Sequence, residues 1–241
     1  MKKLLLLFSI LFIYSPLMAN ETIKVVTEEL KPLNYEENGK IKGSATEIVK
    51  KVLYKAGVNY GINLYPWARA YVMAQNDKNT LIYTINRTKK RESKFKWIGL
   101  VDTPTMESSL YKLKNNQIFT IKTMDDAKDL RIGVIRDDVN HEFLLEGGFT
   151  KIYPVTKPTQ YIHMLIYDRV DLIIGSYPIL VQEFNKIDKS IDTIENVLVA
   201  RGSAPYMALS SQTSDKLFDK IKKAYLDLVL SGEIPKFETK N

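Results

Sequence analysis

The sequence predicts an α/β fold built from two lobes. Short runs of apolar, β-branched residues alternate with segments of helical periodicity, in the order strand, helix, strand, helix, strand. This order occurs once in each half of the chain, and no Gly/Ser-rich linker separates the two units. Such alternation favours parallel strands with right-handed crossovers, so we expect one sheet in each lobe and short connections that suit a hinge.

In the first unit the predicted elements are a strand over 23–27, a helix from Ser44 to Gly57, a strand over 58–64, a helix that begins at Pro66, and a strand over 80–86. Ser44 and Glu47 have the spacing of a capping box, in which each side chain bonds the backbone amide of the other. Gly57 suits the left-handed residue that follows a helix, and Pro66 suits a first helical turn.

In the second unit the predicted elements are strands over 130–135, 152–155 and 170–174, with helices over 140–145, 159–167 and from Pro178 to about Phe184. Strands over 197–200 and 206–209 then lead back towards the first unit. The chain ends with an amphipathic helix over 214–230, which Gly232 terminates.

Residues 1–19 have the pattern of a secretory signal peptide. Lys2 and Lys3 are followed by an apolar run over 4–14, and Ala19 is a small residue after which cleavage is expected. The apolar run is shorter than the roughly 20 residues that cross a bilayer, so an N-terminal membrane anchor is the less favoured alternative. We expect an exported protein, periplasmic in a bacterium.

Composition excludes several classes of function. The chain of 241 residues is 45% hydrophobic and has no Cys, which excludes thiol catalysis, zinc–cysteine sites, iron–sulfur clusters and a lipid anchor on an N-terminal cysteine. The net charge of +7 suggests nucleic acid, but the basic residues are spread among 28 acidic ones and no basic arm is present. We expect no cofactor, no metal and no nucleic acid, and we expect a monomer.

Several segments, taken in chain order, resemble one family of receptors. They are Pro32, Tyr35 and Gly43 after the first strand, YPWARAY at 65–71, TINRTKKRE at 84–92, and the second-unit segments 129–134 and 169–178. The family is the bacterial extracellular solute-binding proteins, family 3, which are periplasmic receptors of the polar-amino-acid type. Lys89 and Lys90 replace the Pro and Glu of the family's Thr-Pro-Glu-Arg segment.

The resemblance implies a fold of periplasmic-binding-protein type II, in which two α/β lobes are joined by two crossing hinge strands. Lobe one would comprise 20–105 and 201–241, and lobe two 106–200, with crossings near 103–108 and 199–204. It also implies a small-molecule ligand, bound in the interlobe cleft and delivered to an ABC-type membrane permease. A receptor for a membrane sensor uses the same module and is the alternative.

The resemblance assigns Arg91 the role of binding a ligand carboxylate, for which a planar guanidinium is well suited. Thr84 and Asn86 match the small polar residues that assist it. Trp67 and Tyr35 are candidate aromatic walls of the cleft. The alternatives are an exposed basic segment around Arg91 and a core position for Trp67.

Four further residues are candidates for ligand contacts. Glu28 follows the first strand and would accept from a ligand amine, while Arg69 faces either the cleft or solvent. In lobe two, Arg136 matches a basic family residue. Ser176 replaces the family's acidic residue that holds an α-ammonium group, which favours a ligand without that group.

An enzyme is the less favoured hypothesis. It is considered because periplasmic cyclohexadienyl dehydratases have a similar scaffold and use a carboxylic acid in the cleft. Glu28, Glu107 and Asp137 are the candidate acids. His141 and His163 stand alone, and no hydrolase, metalloprotease or phosphate-loop motif is present. We therefore expect a binding protein rather than an enzyme.

Overall fold

The computed structural model describes residues 22–102, 106–116 and 120–237. In these ranges the chain forms two lobes, each a five-stranded sheet with helices packed on both faces. The predicted α/β architecture of two lobes is confirmed. The predicted signal peptide, residues 1–19, and Thr103, where the first crossing was expected to begin, lie outside the described ranges.

The strands are β1 (Thr22–Thr27), β2 (Tyr35–Glu37), β3 (Lys40–Lys42), β4 (Asn59–Leu64), β5 (Thr80–Asn86), β6 (Phe95–Leu100), β7 (Met106–Leu113), β8 (Ile132–Ile135), β9 (Ile152–Val155), β10 (Leu172–Gly175), β11 (Ile194–Ser203) and β12 (Pro205–Ser210). The helices are α1 (Ser44–Lys55), α2 (Trp67–Asn76), α3 (Val139–Glu146), α4 (Pro158–Ile166), α5 (Tyr177–Asn185) and α6 (Asp215–Leu230). Short 3-10 turns cover Lys89–Lys94, Asp125–Ala127 and Ile191–Thr193.

The first sheet has the order β4-β1-β5-β12-β6 and the second the order β11-β7-β10-β8-β9. Strands joined through a helix pair in parallel, as β1 does with β4 and β5, and β8 with β9 and β10. One edge strand of each sheet, β6 in the first and β11 in the second, belongs to a segment that leads towards the other lobe. Each sheet is buried between two hydrophobic clusters, so each lobe has its own core.

Two adjacent segments connect the lobes, one from β6 to β7 and one from β11 to β12. β7 and β11 pair antiparallel from Leu113 with Ile194 to Met106 with Ser203. On the side of the first lobe, the Val101 amide donates to the Pro205 carbonyl at 2.9 Å. The connections are therefore short and hydrogen-bonded to each other at both ends.

The capping box predicted for α1 is wrong. Gly43 is the N-cap residue, with φ 120°, and the Glu47 side chain pairs with Lys50 instead of the Ser44 amide. The loop that precedes the β2–β3 hairpin satisfies the first amides of the helix, because the Leu33 carbonyl accepts from Ala45 at 3.1 Å and from Thr46 at 3.2 Å. A Cβ on Gly43 would lie 2.3 Å from the Leu33 oxygen, so only glycine allows this close approach.

Candidate functional site

A cavity of about 610 Å³ lies between the two lobes. Its walls come from residues at the carboxyl ends of strands in both sheets: Glu28 after β1, Thr84 and Asn86 in β5, Ile135 in β8, and Ser176 after β10. Carboxyl ends of parallel strands leave a crevice that loops and helix starts can line, and this volume is typical of ligand pockets. Its position makes the cavity the candidate ligand site.

Six of the nine predicted site residues line this cavity: Glu28, Trp67, Thr84, Asn86, Arg91 and Ser176. The structure places the other three elsewhere. Tyr35 lies on the hairpin, with the Lys31 ammonium 5.0 Å from its ring centre. The Arg69 guanidinium lies over the Tyr65 ring at 4.5 Å, and Arg136 is exposed beside the Pro154 carbonyl.

Arg91 is fully buried, with 0% of its surface exposed. Its Nε lies 3.0 Å from a carboxylate oxygen of Glu142, which is on α3 in the second lobe and is 5% exposed. Nη1 donates to the Asn86 carbonyl at 3.4 Å and Nη2 donates to the Asp137 carbonyl at 3.2 Å. Protein groups from both lobes therefore engage every nitrogen of the guanidinium, and its charge is paired within the protein.

The Arg91 guanidinium also lies over two aromatic rings of the first lobe. Its central carbon is 4.8 Å from the Tyr71 ring centre and 5.4 Å from that of Trp67, and the two rings stack on each other at 5.8 Å. Trp67 combines both predicted roles, because it lines the cavity and belongs to the core of the first lobe. Its Nε1 donates to the Asp137 carbonyl at 2.8 Å, which adds a second contact between the lobes.

Thr84 interrupts the regularity of β5 at the cavity wall. Its φ is 59°, a left-handed conformation that is unfavourable for a β-branched residue. The pairing with β12 skips it, since Tyr206 lies opposite Ile85 and Met207 opposite Tyr83. The Thr84 hydroxyl bonds Thr27, and this hydrogen bond fixes the bulge where the strand meets the cavity.

Asn86 connects the cavity wall to the segment that returns from the second lobe. Its Oδ1 accepts from the Ala204 amide at 2.9 Å, between β11 and β12. Its backbone carbonyl accepts from Arg91. Asn86 therefore links the interlobe connection to the buried arginine.

Three acidic side chains meet at the cavity: Glu28 from the first lobe, and Asp138 and Glu183 from the second. We call them the acidic cluster. Burial, together with the charges of Asp138 and Glu183, raises the pKa of Glu28 to about 8. Burial also raises the pKa of Asp138 to about 6, although Asp138 accepts from the His141 amide as the N-cap of α3. Burial therefore disfavours the ionised forms of Glu28 and Asp138.

Glu183 and Tyr161 complete this side of the cavity. Glu183 is 8% exposed and accepts from Lys186 at 2.7 Å. Burial, and then the charges of the acidic cluster, raise the pKa of the Tyr161 hydroxyl, so it stays protonated. Sequence reasoning did not identify Glu183, Glu142, Tyr161 or Asp138 as candidate site residues.

Ser176 faces the same cavity from the second lobe. It is 4% exposed and begins α5 as the N-cap residue, but among the described residues its side chain makes no capping bond and its Oγ has no hydrogen-bond partner. A buried hydroxyl without a partner is unfavourable by itself, and such groups mark places where a ligand or water completes the hydrogen bonding.

Comparison with protein-family models identifies the family to which the chain belongs. Residues 23–241 match the model of the bacterial extracellular solute-binding proteins, family 3. The chain belongs to this family. The match confirms, over nearly the whole chain, the family that the sequence motifs indicated. In a separate comparison, no curated protein sequence matches the chain.

Solved structures show the same fold at low sequence identity. A histidine kinase sensor domain with similarity to periplasmic binding proteins has a TM-score of 0.74 and 15% identity, over 89% of this chain and 93% of that one. An ancestral arginine-binding protein bound to arginine has a TM-score of 0.68 and 19% identity, over 88% and 93%. The substrate-binding protein AbpA of an amino acid ABC transporter from Streptococcus pneumoniae, bound to L-arginine, has a TM-score of 0.66 and 18% identity, over 89% and 91%.

In the ranges that the structure describes, no helix is long and apolar enough to cross a membrane. The same ranges contain no group of three or more His, Cys, Asp or Glu side chains arranged to hold a metal ion.

Proposed function

We propose that this protein captures a small solute in the interlobe cavity and delivers it to an ABC-type membrane permease. The observation that carries the proposal is that a ligand-sized cavity is enclosed by residues of both lobes in a member of a solute-binding family. The lobes are joined by two short connections and contact each other through Arg91, Trp67 and Glu142. Closure over the ligand would form these contacts and present a closed shape to the membrane partner.

Export supports the same role. We propose that residues 1–19 direct the chain to the periplasm and are removed, and that the mature protein acts there as a monomer without a lipid anchor. Lobe one would then comprise residues 20–105 and 201–241, and lobe two residues 106–200, as the resemblance implies.

A thermal-shift screen tests solute capture. Purified protein is melted with amino acids, aliphatic amines, guanidines and small carboxylates, since a bound ligand raises the melting temperature by mass action. We expect at least one member to raise it, and expect the Ser176→Trp variant, in which the cavity is filled, to lose the shift. The proposal is contradicted if no compound changes the melting temperature of the wild type and if its small-angle X-ray scattering profile is the same with and without each compound.

Sensing is the second candidate function, because a histidine kinase sensor domain shares the fold over most of both chains. Deletion of the gene distinguishes the two roles. Loss of uptake of the solute found in the screen supports delivery to a permease. Retained uptake with loss of a transcriptional response to that solute supports sensing instead.

Dehydratase activity has one observation in its favour, the raised pKa of Glu28 in the cavity. Of the other candidate acids, Glu107 and Asp137 do not line the cavity. Prephenate carries two carboxylates, which the acidic cluster would repel. We propose binding without turnover, and formation of phenylpyruvate from prephenate by the purified protein would overturn this.

A further inference from the structure

The charges on the cavity wall do not suit an anionic ligand. Five acidic residues line the cavity and three basic ones: the acidic residues are Glu28, Glu29, Glu36, Asp138 and Glu183, and the basic ones are Arg91, Lys157 and Lys186. Arg91 is paired with Glu142 and Lys186 with Glu183, while Lys157 is exposed to solvent. The cavity is therefore lined by more acidic than basic side chains, and two of the three basic ones are paired with carboxylates.

Two groups that could hold a carboxylate at this wall, Arg91 and the start of α3, are already bonded within the protein. Arg91 is inaccessible to solvent and bonded to Glu142, Asn86 and Asp137. At the start of α3, the Asp138 side chain accepts from the His141 amide, so an acidic group occupies the place where helix amides would bind an anion. A ligand carboxylate would have to displace these bonds and enter beside three acidic side chains.

Glu28 shows the opposite situation. Its side chain faces the cavity, and within the described residues no hydrogen bond or ion pair reaches its carboxylate. Asp138 and Glu183 approach it from the other lobe, so closing the lobes brings acidic groups together. Like charges that are buried together are unfavourable unless protons or a cation compensate them.

A second, independent observation points to a ligand at this place. The Ser176 hydroxyl is buried at the cavity wall and has no hydrogen-bond partner in the part of the chain that the structure describes. A hydroxyl oxygen accepts from an ammonium or guanidinium group, as the carboxylates do. The rings of Trp67 and Tyr65 line the same cavity, and the guanidinium groups of Arg91 and Arg69 already lie over them.

We propose that the ligand is a small organic cation, an amine or a guanidine, that carries no carboxylate. Its cationic group lies between Glu28 of the first lobe and Asp138 and Glu183 of the second, and donates also to the Ser176 hydroxyl. This inference rests on the proposed function, since it names the class of solute that the receptor captures. It revises two expectations from the sequence: the ligand carboxylate expected from Arg91, and the absence of an ammonium group expected from Ser176.

Calorimetric titrations with matched pairs of compounds test the inference. Agmatine is arginine without its carboxylate, and cadaverine is lysine without its carboxylate. We expect each decarboxylated compound to bind at least tenfold more tightly than its amino acid at pH 7.5 and low salt. Tighter binding of the amino acids overturns the inference and leaves solute capture intact.

Two variants locate the binding. Glu28→Gln removes the unpaired carboxylate and should weaken agmatine binding at least tenfold. Glu146→Gln makes the same chemical change at an exposed position near the end of α3, outside the cavity, and should leave binding unchanged. Melting curves of both variants check that they fold. Equal affinity in the two variants overturns the inference.

If none of the four compounds binds, the inference is likewise overturned. The wider thermal-shift screen then decides the proposed function separately, because that screen also contains carboxylates and neutral amino acids. Failure of the cation hypothesis and failure of solute capture therefore give different results.

Discussion

Two groups of charged side chains lie in the same interlobe region and differ in how they are paired. In the interlobe ion pair, Arg91 and Glu142 neutralise each other, and backbone carbonyls of Asn86 and Asp137 take the remaining guanidinium contacts. In the acidic cluster, no hydrogen bond or ion pair among the described residues reaches the Glu28 carboxylate; the charges of Asp138 and Glu183 raise its pKa and that of Arg91 lowers it. Arg91 and Glu142 are thus neutralised by direct contact, whereas Glu28 has no direct contact with a cation.

The difference teaches which charges are structural and which are available to a ligand. Removing one member of a buried ion pair strongly destabilises the protein. The paired Arg91 therefore stabilises the contact between the two lobes and is not available to a ligand. A carboxylate that protein groups leave unpaired is costly in the free protein and becomes favourable when a cation arrives. The predictions below change one group at a time.

The largest effect is expected from Glu142→Gln. It leaves a buried guanidinium without its counter-charge, and such a loss costs up to about 3–5 kcal/mol. Chemical denaturation at pH 7.5 measures the change in the free energy of unfolding. Glu146→Gln, one turn further along α3 and exposed, is the control and should change it by less than about 0.5 kcal/mol.

The double variant Arg91→Met/Glu142→Leu tests whether the stability of the protein requires the ion pair itself. Replacing both members of a buried ion pair with apolar residues is often neutral, so the double variant should recover most of the stability that Glu142→Gln loses. A double variant as unstable as the single one would mean that Arg91 does more than pair with Glu142.

The next effect concerns the pH dependence of stability. The folded protein holds a proton on Glu28 up to about pH 8, whereas the unfolded chain releases it near the ordinary value of 4.5. The folded state therefore binds more protons between these values, and its stability falls as pH rises, by at most about 1.4 kcal/mol per pH unit. Asp138 contributes in the same direction up to about pH 6.

Melting temperatures measured from pH 6 to pH 8.5 test this sign. We expect the wild type to lose stability across the range, and Glu28→Gln to show a flatter profile and to melt higher than the wild type at pH 8.5. The groups that act on Glu28 are Asp138 and Glu183, which raise its pKa, and Arg91, which lowers it. Parallel profiles for the two proteins would show that Glu28 is not a source of the slope.

The smallest effect is expected from Ser176→Ala. Removal of a buried hydroxyl that has no partner should stabilise the free protein slightly, by about 1 kcal/mol or less, and should weaken agmatine binding by a few-fold. Melting temperature and calorimetry on the same sample measure both. A variant that is less stable and binds as well as the wild type would show that Ser176 serves the fold alone.

Much of the fold could be predicted from the sequence, because the periods of two and 3.6 residues report which face of a strand or helix is buried. Strands β1, β5 and β9 lie where those periods place them. The start of α1 at Ser44 was predicted correctly, but the groups that cap it were not, for a physical reason. Backbone carbonyls of the preceding loop cap this helix, and a backbone cap has no signature in side-chain spacing.

The candidate site was only partly predictable. Arg91 and Glu28 were found because they occupy positions that matter in a known family, and both line the cavity. Their partners could not be found this way, since Glu142 is 51 residues from Arg91 and lies on the other lobe. Whether a buried charge is paired depends on contacts between distant segments, and this decides the class of ligand.

The most direct test of the account is the radius of gyration at pH 8.5, measured by small-angle X-ray scattering with and without agmatine. If closure requires a positive charge beside Glu28, the free protein is more extended at pH 8.5 than at pH 5.5. Agmatine at pH 8.5 then restores the compact value, and arginine does so less effectively. A radius that neither pH nor agmatine changes, or that arginine alone reduces, would contradict the account.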